Sequence, residues 1–207
     1  YQVNQRKEFD VRRGARSELP AIDLTLQSQT FLGSYSWKKG FDWSFETGVN
    51  GLFEDNFSNP DTGVKRLIPD YIKYEWGTFL VGTFQPSTRF SWDWGLRVDS
   101  VFIDAQKYYN LTNWKESGYS VFYPEFERQI MGTQILTNPR FRFFNWAAQT
   151  GIGVSLGSDI DSRFAYVLSQ RAPNSSELFS DGLHHSIAAL EYGNLILRNE
   201  TSHKILM

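Results

Sequence analysis

Apolar and polar residues alternate along several stretches of this chain, and that alternation predicts β-strands. From Phe41 to Glu54 the odd positions hold Phe41, Trp43, Phe45, Thr47, Val49, Gly51 and Phe53, while the even positions hold Asp42, Ser44, Glu46, Gly48, Asn50, Leu52 and Glu54. A period of two puts the two sets on opposite faces of one strand. Tyr71 to Phe84 repeats the design, with Ile72, Tyr74, Trp76, Leu80 and Phe84 on one face and Lys73, Glu75 and Thr83 on the other. From Phe90 the pattern is cleanest: Phe90, Trp92, Trp94, Leu96 and Val98 oppose Ser91, Asp93, Gly95, Arg97 and Asp99. Farther on, Phe144, Trp146, Ala148, Thr150, Ile152, Val154 and Leu156 make one face of a strand, with Asn145, Gln149, Gly151, Gly153 and Ser155 on the other. Arg163 to Gln170 reads as a short strand, Ala21 to Gln27 as another, and residues 1–20 as a weak strand followed by a loop.

The connections differ in length in a regular way. Trp37 to Gly40, Gln85 to Arg89 and Gly157 to Ser162 read as short turns. Residues 55–70, 104–140 and 171–201 read as long loops, with that near 11–20 at the same end. If Gln85 to Arg89 closes an antiparallel hairpin, Phe84 meets Phe90, Leu80 meets Trp94 and Trp76 meets Val98. Glu75 then lies opposite Asp99 and diagonal to Arg97, within reach of an ion pair. Short turns at one rim and long loops at the other are the asymmetry of transmembrane β-barrels. The segments 41–54 and 71–84, each of 14 residues, exceed the about 9–11 residues that cross a bilayer, so they would project beyond it. A soluble sandwich gives no reason for that regularity.

Composition agrees. Aromatic residues make up 16% of the chain, yet its mean hydropathy is polar, at −0.42. A sheet with one aromatic face and one wet face produces both values. The net charge of −2, with signs mixed, gives no nucleic-acid footprint. With no cysteine, disulfide and thiolate chemistry are excluded. No apolar run reaches the length of a membrane helix, which barrel strands do not need. Neither end carries a leader or a capping pattern, so both read as fragment boundaries.

The stretch after Arg163 is the specific part. Arg171, Pro173, Glu177 and Leu178 are followed by Gly182 and His184, then by Glu191, Gly193, Asn194, Leu197 and Glu200. This R-x-P-x-x-x-E-L, G-x-H, E-x-G-N-x-x-L-x-x-E series resembles the barrel region of TonB-dependent outer-membrane receptors. Leu67 to Tyr71, Trp94 to Asp99 and Asn145 to Gln170 are similar to the same family. The resemblance covers about residues 40–207. It implies an all-β fold, an antiparallel up-and-down meander of about eight strands cut from a 22-stranded transmembrane barrel. Residues 1–207 would then be a fragment of the barrel domain, with no plug domain present. It also implies a receptor in the outer membrane that binds and imports a scarce nutrient: a metal chelate or siderophore, cobalamin, haem or a glycan. The partners implied are the lipid bilayer, TonB, the receptor's own plug and a small nutrient ligand, with no nucleic acid and no resident cofactor. The alternative is a soluble or small-barrel ligand-binding β domain, whose interior positions would be mostly apolar.

No catalytic constellation emerges, and the chain reads as a non-enzyme. Its three histidines, His184, His185 and His203, stand outside any nucleophile context. His184 and His185 near Glu177, Asp181 and Glu191 admit a metal-chelate reading. Adjacent residues of an extended chain point oppositely, which favours a hydrogen-bonded loop instead. Together with Tyr108 and Tyr109 they are the candidate ligand contacts. The carboxylates Asp42, Glu46, Glu54, Glu75, Asp93 and Asp99 lie on the wet face and read as lumen-lining.

Overall fold

The computed structural model describes residues 1–63, 65–157, 160–184 and 189–207, the side chains of residues 11–13 apart. One long antiparallel sheet carries the chain. Its strands are β1 (Gln2–Phe9), β2 (Pro20–Lys39), β3 (Trp43–Ser58), β4 (Asp70–Ser87), β5 (Phe90–Asn110), β8 (Arg140–Ser155), β9 (Asp161–Arg171) and β12 (Glu200–Leu206), each paired with the next in that order. The eight-strand meander expected from the alternation is therefore present. Between β5 and β8 a hairpin of β6 (Glu127–Met131) and β7 (Gln134–Thr137) attaches to the end of β5. Between β9 and β12 a separate two-stranded piece forms from β10 (Asp181–His184) and β11 (Ala189–Tyr192). The outer edges of β1 and β12 pair with no strand among the described residues, so the sheet is open.

Register keeps the two faces separate. Trp37 lies opposite Phe45, Trp43 opposite Phe84, Phe84 opposite Trp92, Trp92 opposite Ile152, and Ile152 opposite Phe164. The face carrying these rings is the outer one. The inner face carries Glu54, Lys73, Glu75, Arg97 and Asp99, with Lys73 3.2 Å from Glu75 and Arg97 2.7 Å from Asp99.

The β4–β5 hairpin corrects the sequence reading in one respect. Phe84 faces Trp92, Leu80 faces Leu96 and Trp76 faces Ser100, a shift of two residues from the pairing expected. Glu75 accordingly lies opposite Val101, and Arg97 pairs with Asp99 on its own strand. The turn is tighter than expected, because β4 runs to Ser87 and β5 starts at Phe90. The ladder then slips between Phe84 and Ser87. Pro86, which has no N–H to give to a ladder, occupies that bulge. Further boundaries move, β3 among them, which runs to Ser58 where a loop from 55 was expected. Trp37 to Lys39 belong to β2, leaving only 40–42 as turn, and β5 runs on to Asn110 where a loop from 104 was expected.

The long loops are folded. After β5 come helix α1 (Leu111–Glu116), helix α2 (Tyr119–Phe122) and the β6–β7 hairpin, and α3 (Ser175–Phe179) follows β9. Asn110 caps α1 by accepting from Thr112 N and Asn113 N. These pieces pack onto the inner face at the long-loop end, where Val101, Ile103 and Ala105 of β5 and Phe143 of β8 are buried under Trp114, Tyr119, Phe126, Ile135, Leu178, Phe179 and Leu195. The 59–69 connection does the same on a smaller scale, laying Leu67 on Ile22 and Leu24 of β2.

The register is open to a direct check. Cysteines replacing Leu80 and Leu96 should cross-link on mild oxidation, whereas cysteines replacing Leu80 and Trp94 should not. The reverse result would restore the register first expected.

Candidate binding cap

The core shared by the two long loops makes a single cap over one end of the inner face. Trp114 and Phe179 are wholly buried in it. Removing either ring would forfeit roughly 3–5 kcal/mol. Several polar groups that the packing carries inward find partners, whereas the buried Tyr109 hydroxyl has none among the described residues. Trp114 Nε1 donates to Glu127 Oε1 at 2.7 Å, Tyr123 Oη donates to Leu195 O at 2.9 Å, and Thr137 Oγ1 donates to Lys107 O at 2.9 Å.

The motif residues fasten this cap. Arg171, the last residue of β9, donates to both carboxylate oxygens of Glu177, at 2.8 and 3.0 Å, and to Glu200 Oε2 at 2.6 Å. Its guanidinium and the N–H of Asn174 hold the Glu177 carboxyl below the usual carboxylate range. Asn174 and Glu177 also close a capping box: Glu177 N donates to Asn174 Oδ1 at 2.9 Å, and Asn174 N donates to Glu177 Oε2 at 2.8 Å. Pro173 is buried just before the box, and Leu178 is buried just inside it. Gly193 and Asn194 bring the returning chain against α3, with Gly193 N donating to Ser180 O at 2.6 Å and Asn194 N to Glu177 O at 2.8 Å. A Cβ on Gly193 would stand 2.5 Å from the backbone carbonyl of Leu178. Only glycine fits there. Leu197 is exposed beyond this contact, and Gly182 is the second residue of β10.

His184 reaches in a different direction. The β10–β11 piece crosses to β1, where Arg6 Nη2 donates to His184 Nε2 at 2.6 Å and His184 Nδ1 donates to Glu191 Oε1 at 2.6 Å. Glu8 Oε1 lies 3.3 Å from the same Nε2. The ring is thus engaged at both nitrogens, with Glu8 and Glu191 on opposite sides of it. Among the described residues no group of His, Asp and Glu is arranged to hold a metal ion. His185 lies outside the described residues. Tyr108 and Tyr109 point oppositely. Tyr108 is exposed on the outer face, while the Tyr109 ring is 5.1 Å from that of Trp114, and burial pushes its hydroxyl pKa up.

The residue that sequence reasoning passed over is Lys107. It is 4% exposed, it donates to Phe179 O, and it lies 3.8 Å from Asp181 and 4.8 Å above the Tyr109 ring. Asp181 is shared with Lys65 at 2.6 Å and donates its own N–H to Leu67 O at 3.1 Å. Lys107 therefore joins both large loops to the 59–69 connection. Desolvation lowers its pKa from 10.5 to about 7, with Asp181 resisting the fall. A signal for it existed in the sequence. The inner positions turn from Asp93, Arg97 and Asp99 to Val101, Ile103 and Ala105, which requires something to cover them.

No protein-family model and no curated protein matches the sequence. The fold is an open antiparallel meander with short turns at one rim and a folded cap at the other. It is similar to a double mutant of the Serratia marcescens hemophore receptor HasR in complex with its hemophore HasA and heme. The TM-score is 0.60, with 15% identity over 89% of this chain. The chain spans 30% of that receptor. The likeness is one of fold, and at that level it agrees with the resemblance to TonB-dependent receptors.

Two outcomes follow from the cap. Gly193→Ala should cost roughly 1–3 kcal/mol by forcing α3 away from the returning chain, read as a lower midpoint of thermal unfolding. An unchanged midpoint would show that the contact is slack. For Lys107, the folded state releases its proton near pH 7 while the unfolded chain holds it to about 10.5. Between these values the unfolded state binds more protons, so stability rises with pH, by an amount on the order of a few kcal/mol. Thermal unfolding from pH 6.5 to 9.5 should show this rise in the parent protein and lose most of it in Lys107→Met.

Proposed function

We propose that the chain forms part of the wall and the outward-facing cap of a TonB-dependent outer-membrane receptor. In this reading it binds a scarce nutrient of the metal-chelate, siderophore, cobalamin, haem or glycan class, which the intact receptor imports with energy from the inner membrane. The observation that carries the reading is the pairing of a two-faced open sheet with a cap built at one rim only. A ring-lined outer face suits hydrocarbon, and an inner face holding ion pairs suits a wet or plug-filled lumen. The open edges of β1 and β12 suit the remaining strands of a larger barrel. A plug domain, TonB and the bilayer are its partners in this reading.

Strand length supports it too. About ten tilted residues cross a bilayer, so the 21 residues of β5 cross near Trp92 to Ser100 and lift the cap clear on the remainder. The likeness to HasR, which was solved with its hemophore and heme, supports a protein partner and a ligand. The ligand then meets the cap surface and the lumen beneath it, and not His184, whose ring nitrogens are both engaged. We assign the protein a transport role without chemistry of its own. The soluble small-barrel alternative has less to support it, since the outer row of rings would remain uncovered.

Spin labels placed at 92 and 97 test the assignment. Trp92 is on the outer face and Arg97 on the inner, so a lipid-soluble quencher should reach the first label and a water-soluble one the second. Equal access at both positions would sink the membrane reading.

A further inference from the structure

The outer face holds a row of rings that ends in the guanidinium of Arg142. Phe53 of β3, Tyr74 of β4 and Phe102 of β5 stand side by side, with centroids 5.1 and 6.4 Å apart. Arg142 of β8 lies directly opposite Phe102, its guanidinium 5.9 Å from the ring centroid. On the short-turn side of Arg142 the outer positions of β8 are apolar apart from Thr150, beginning with Phe144 and Trp146. On the cap side the first charges appear. Asp104 is held by Arg140 at 2.8 Å and by Asn138 Nδ2 at 2.5 Å, and Asp70 by Arg66 at 2.6 Å and by Ser58 N at 2.7 Å.

Arg142 itself is exposed and has no carboxylate within ion-pair distance among the described residues. Asp55, an outer carboxylate of β3 with no ion pair among the described residues, is three strands away, about 14 Å at the usual strand spacing. An exposed guanidinium laid against a ring, at the margin of an apolar face, fits one partner chemistry. Acyl chains rest on Phe144 and Trp146, and a phosphate at headgroup level accepts from the guanidinium fork. A neutral headgroup would leave the charge unmet, and a water-soluble anion would leave the apolar positions beside it uncovered.

We propose that Arg142 binds the phosphate of a lipid in the leaflet on the cap side, with Phe102 positioning the guanidinium. The proposal rests on the membrane reading above. The test uses the protein reconstituted in vesicles of a neutral, phosphate-free glycolipid that contain either bis-phosphorylated lipid A or the same lipid with its phosphates removed. Lipid retained after extraction is measured by native mass spectrometry, and quenching of tryptophan by brominated lipid is recorded in parallel.

The phosphorylated lipid should be retained about fivefold less by Arg142→Gln than by the parent, the weight expected of one basic residue at headgroup level. Arg142→Lys, which keeps the charge and loses the fork, should fall between them, and Arg163→Gln on the inner face should match the parent. The dephosphorylated lipid should not distinguish the variants, and added inorganic phosphate should not displace the bound lipid. Equal retention of phosphorylated lipid by parent and Arg142→Gln, with tryptophan still quenched, overturns the proposal and leaves the membrane reading standing. Full displacement by inorganic phosphate overturns it in favour of a free-anion site. Absence of quenching in every vesicle removes the membrane reading and the proposal together.

Discussion

Side chains alternate with a period of two, and the ladder holds that alternation in step from β1 to β12. A slip of one residue anywhere would carry every ring beyond it to the wrong face. The one place where the register departs from expectation shows how strictly this is kept. Around Pro86 the ladder is disturbed, yet Phe84 still meets Trp92 on the outer face. Three residues of β4 span two of β5 there, and this one extra residue offsets the odd step of the tight turn, so the shift from the expected pairing comes to two and parity is preserved. Glycines help the large rings tile that face. A Cβ at Gly51 would stand 2.0 Å from the Phe31 ring, and one at Gly82 would stand 2.6 Å from the Trp94 ring. The rings lie across the backbone of neighbouring strands because nothing occupies those two positions.

The cap depends on the same parity. Val101, Ile103, Ala105, Lys107 and Tyr109 are consecutive inner positions of β5, so extending the strand automatically supplies an apolar strip to roof over. Lys107 falls in that strip and must be buried there. Its ammonium is met by Phe179 O and Asp181, both from the loop that follows β9. The series from Arg171 to Glu200 then reads as a set of fastenings: an ion-pair clamp on α3 and β12, a capping box, and a glycine pressed against the helix backbone. A motif of this kind fixes where the loop goes.

This division explains what was legible in the sequence. Strands and faces were legible because periodicity is a local property that eight strands repeat consistently. The pairing partner of Phe84 was not, because it depends on how a turn containing Pro86 closes. The interiors of the long loops were opaque for another reason. Helices α1, α2 and α3 have six, four and five residues, too short to be stable without the core they pack into. The Arg171 series was recognisable as a unit, but its separate roles were not, since they need the three-dimensional return of the chain past α3. His184 illustrates the limit. Its sequence neighbourhood admits a ligand role and a hydrogen-bonded one, and the partners that occupy it, Arg6 and Glu8, lie on the first strand.

The inner charges decide how far the sheet can curl. Lys73 sits 3.2 Å from Glu75 and 3.7 Å from Glu54, and Arg97 sits beside Asp99. Each pair is only partly shielded from water in the open sheet, where ion pairs contribute little and cost little. Closing eight strands on themselves would fill the narrow interior with side chains. These charges would then lose water, at a cost of about several kcal/mol per ion that pairing recovers only with good geometry. A wider barrel keeps them wet while still providing partners for the edges of β1 and β12. The same residues that make the inner face polar therefore favour a large enclosure over a small one. The cap, anchored only at the long-loop rim, can roof such an enclosure without filling it.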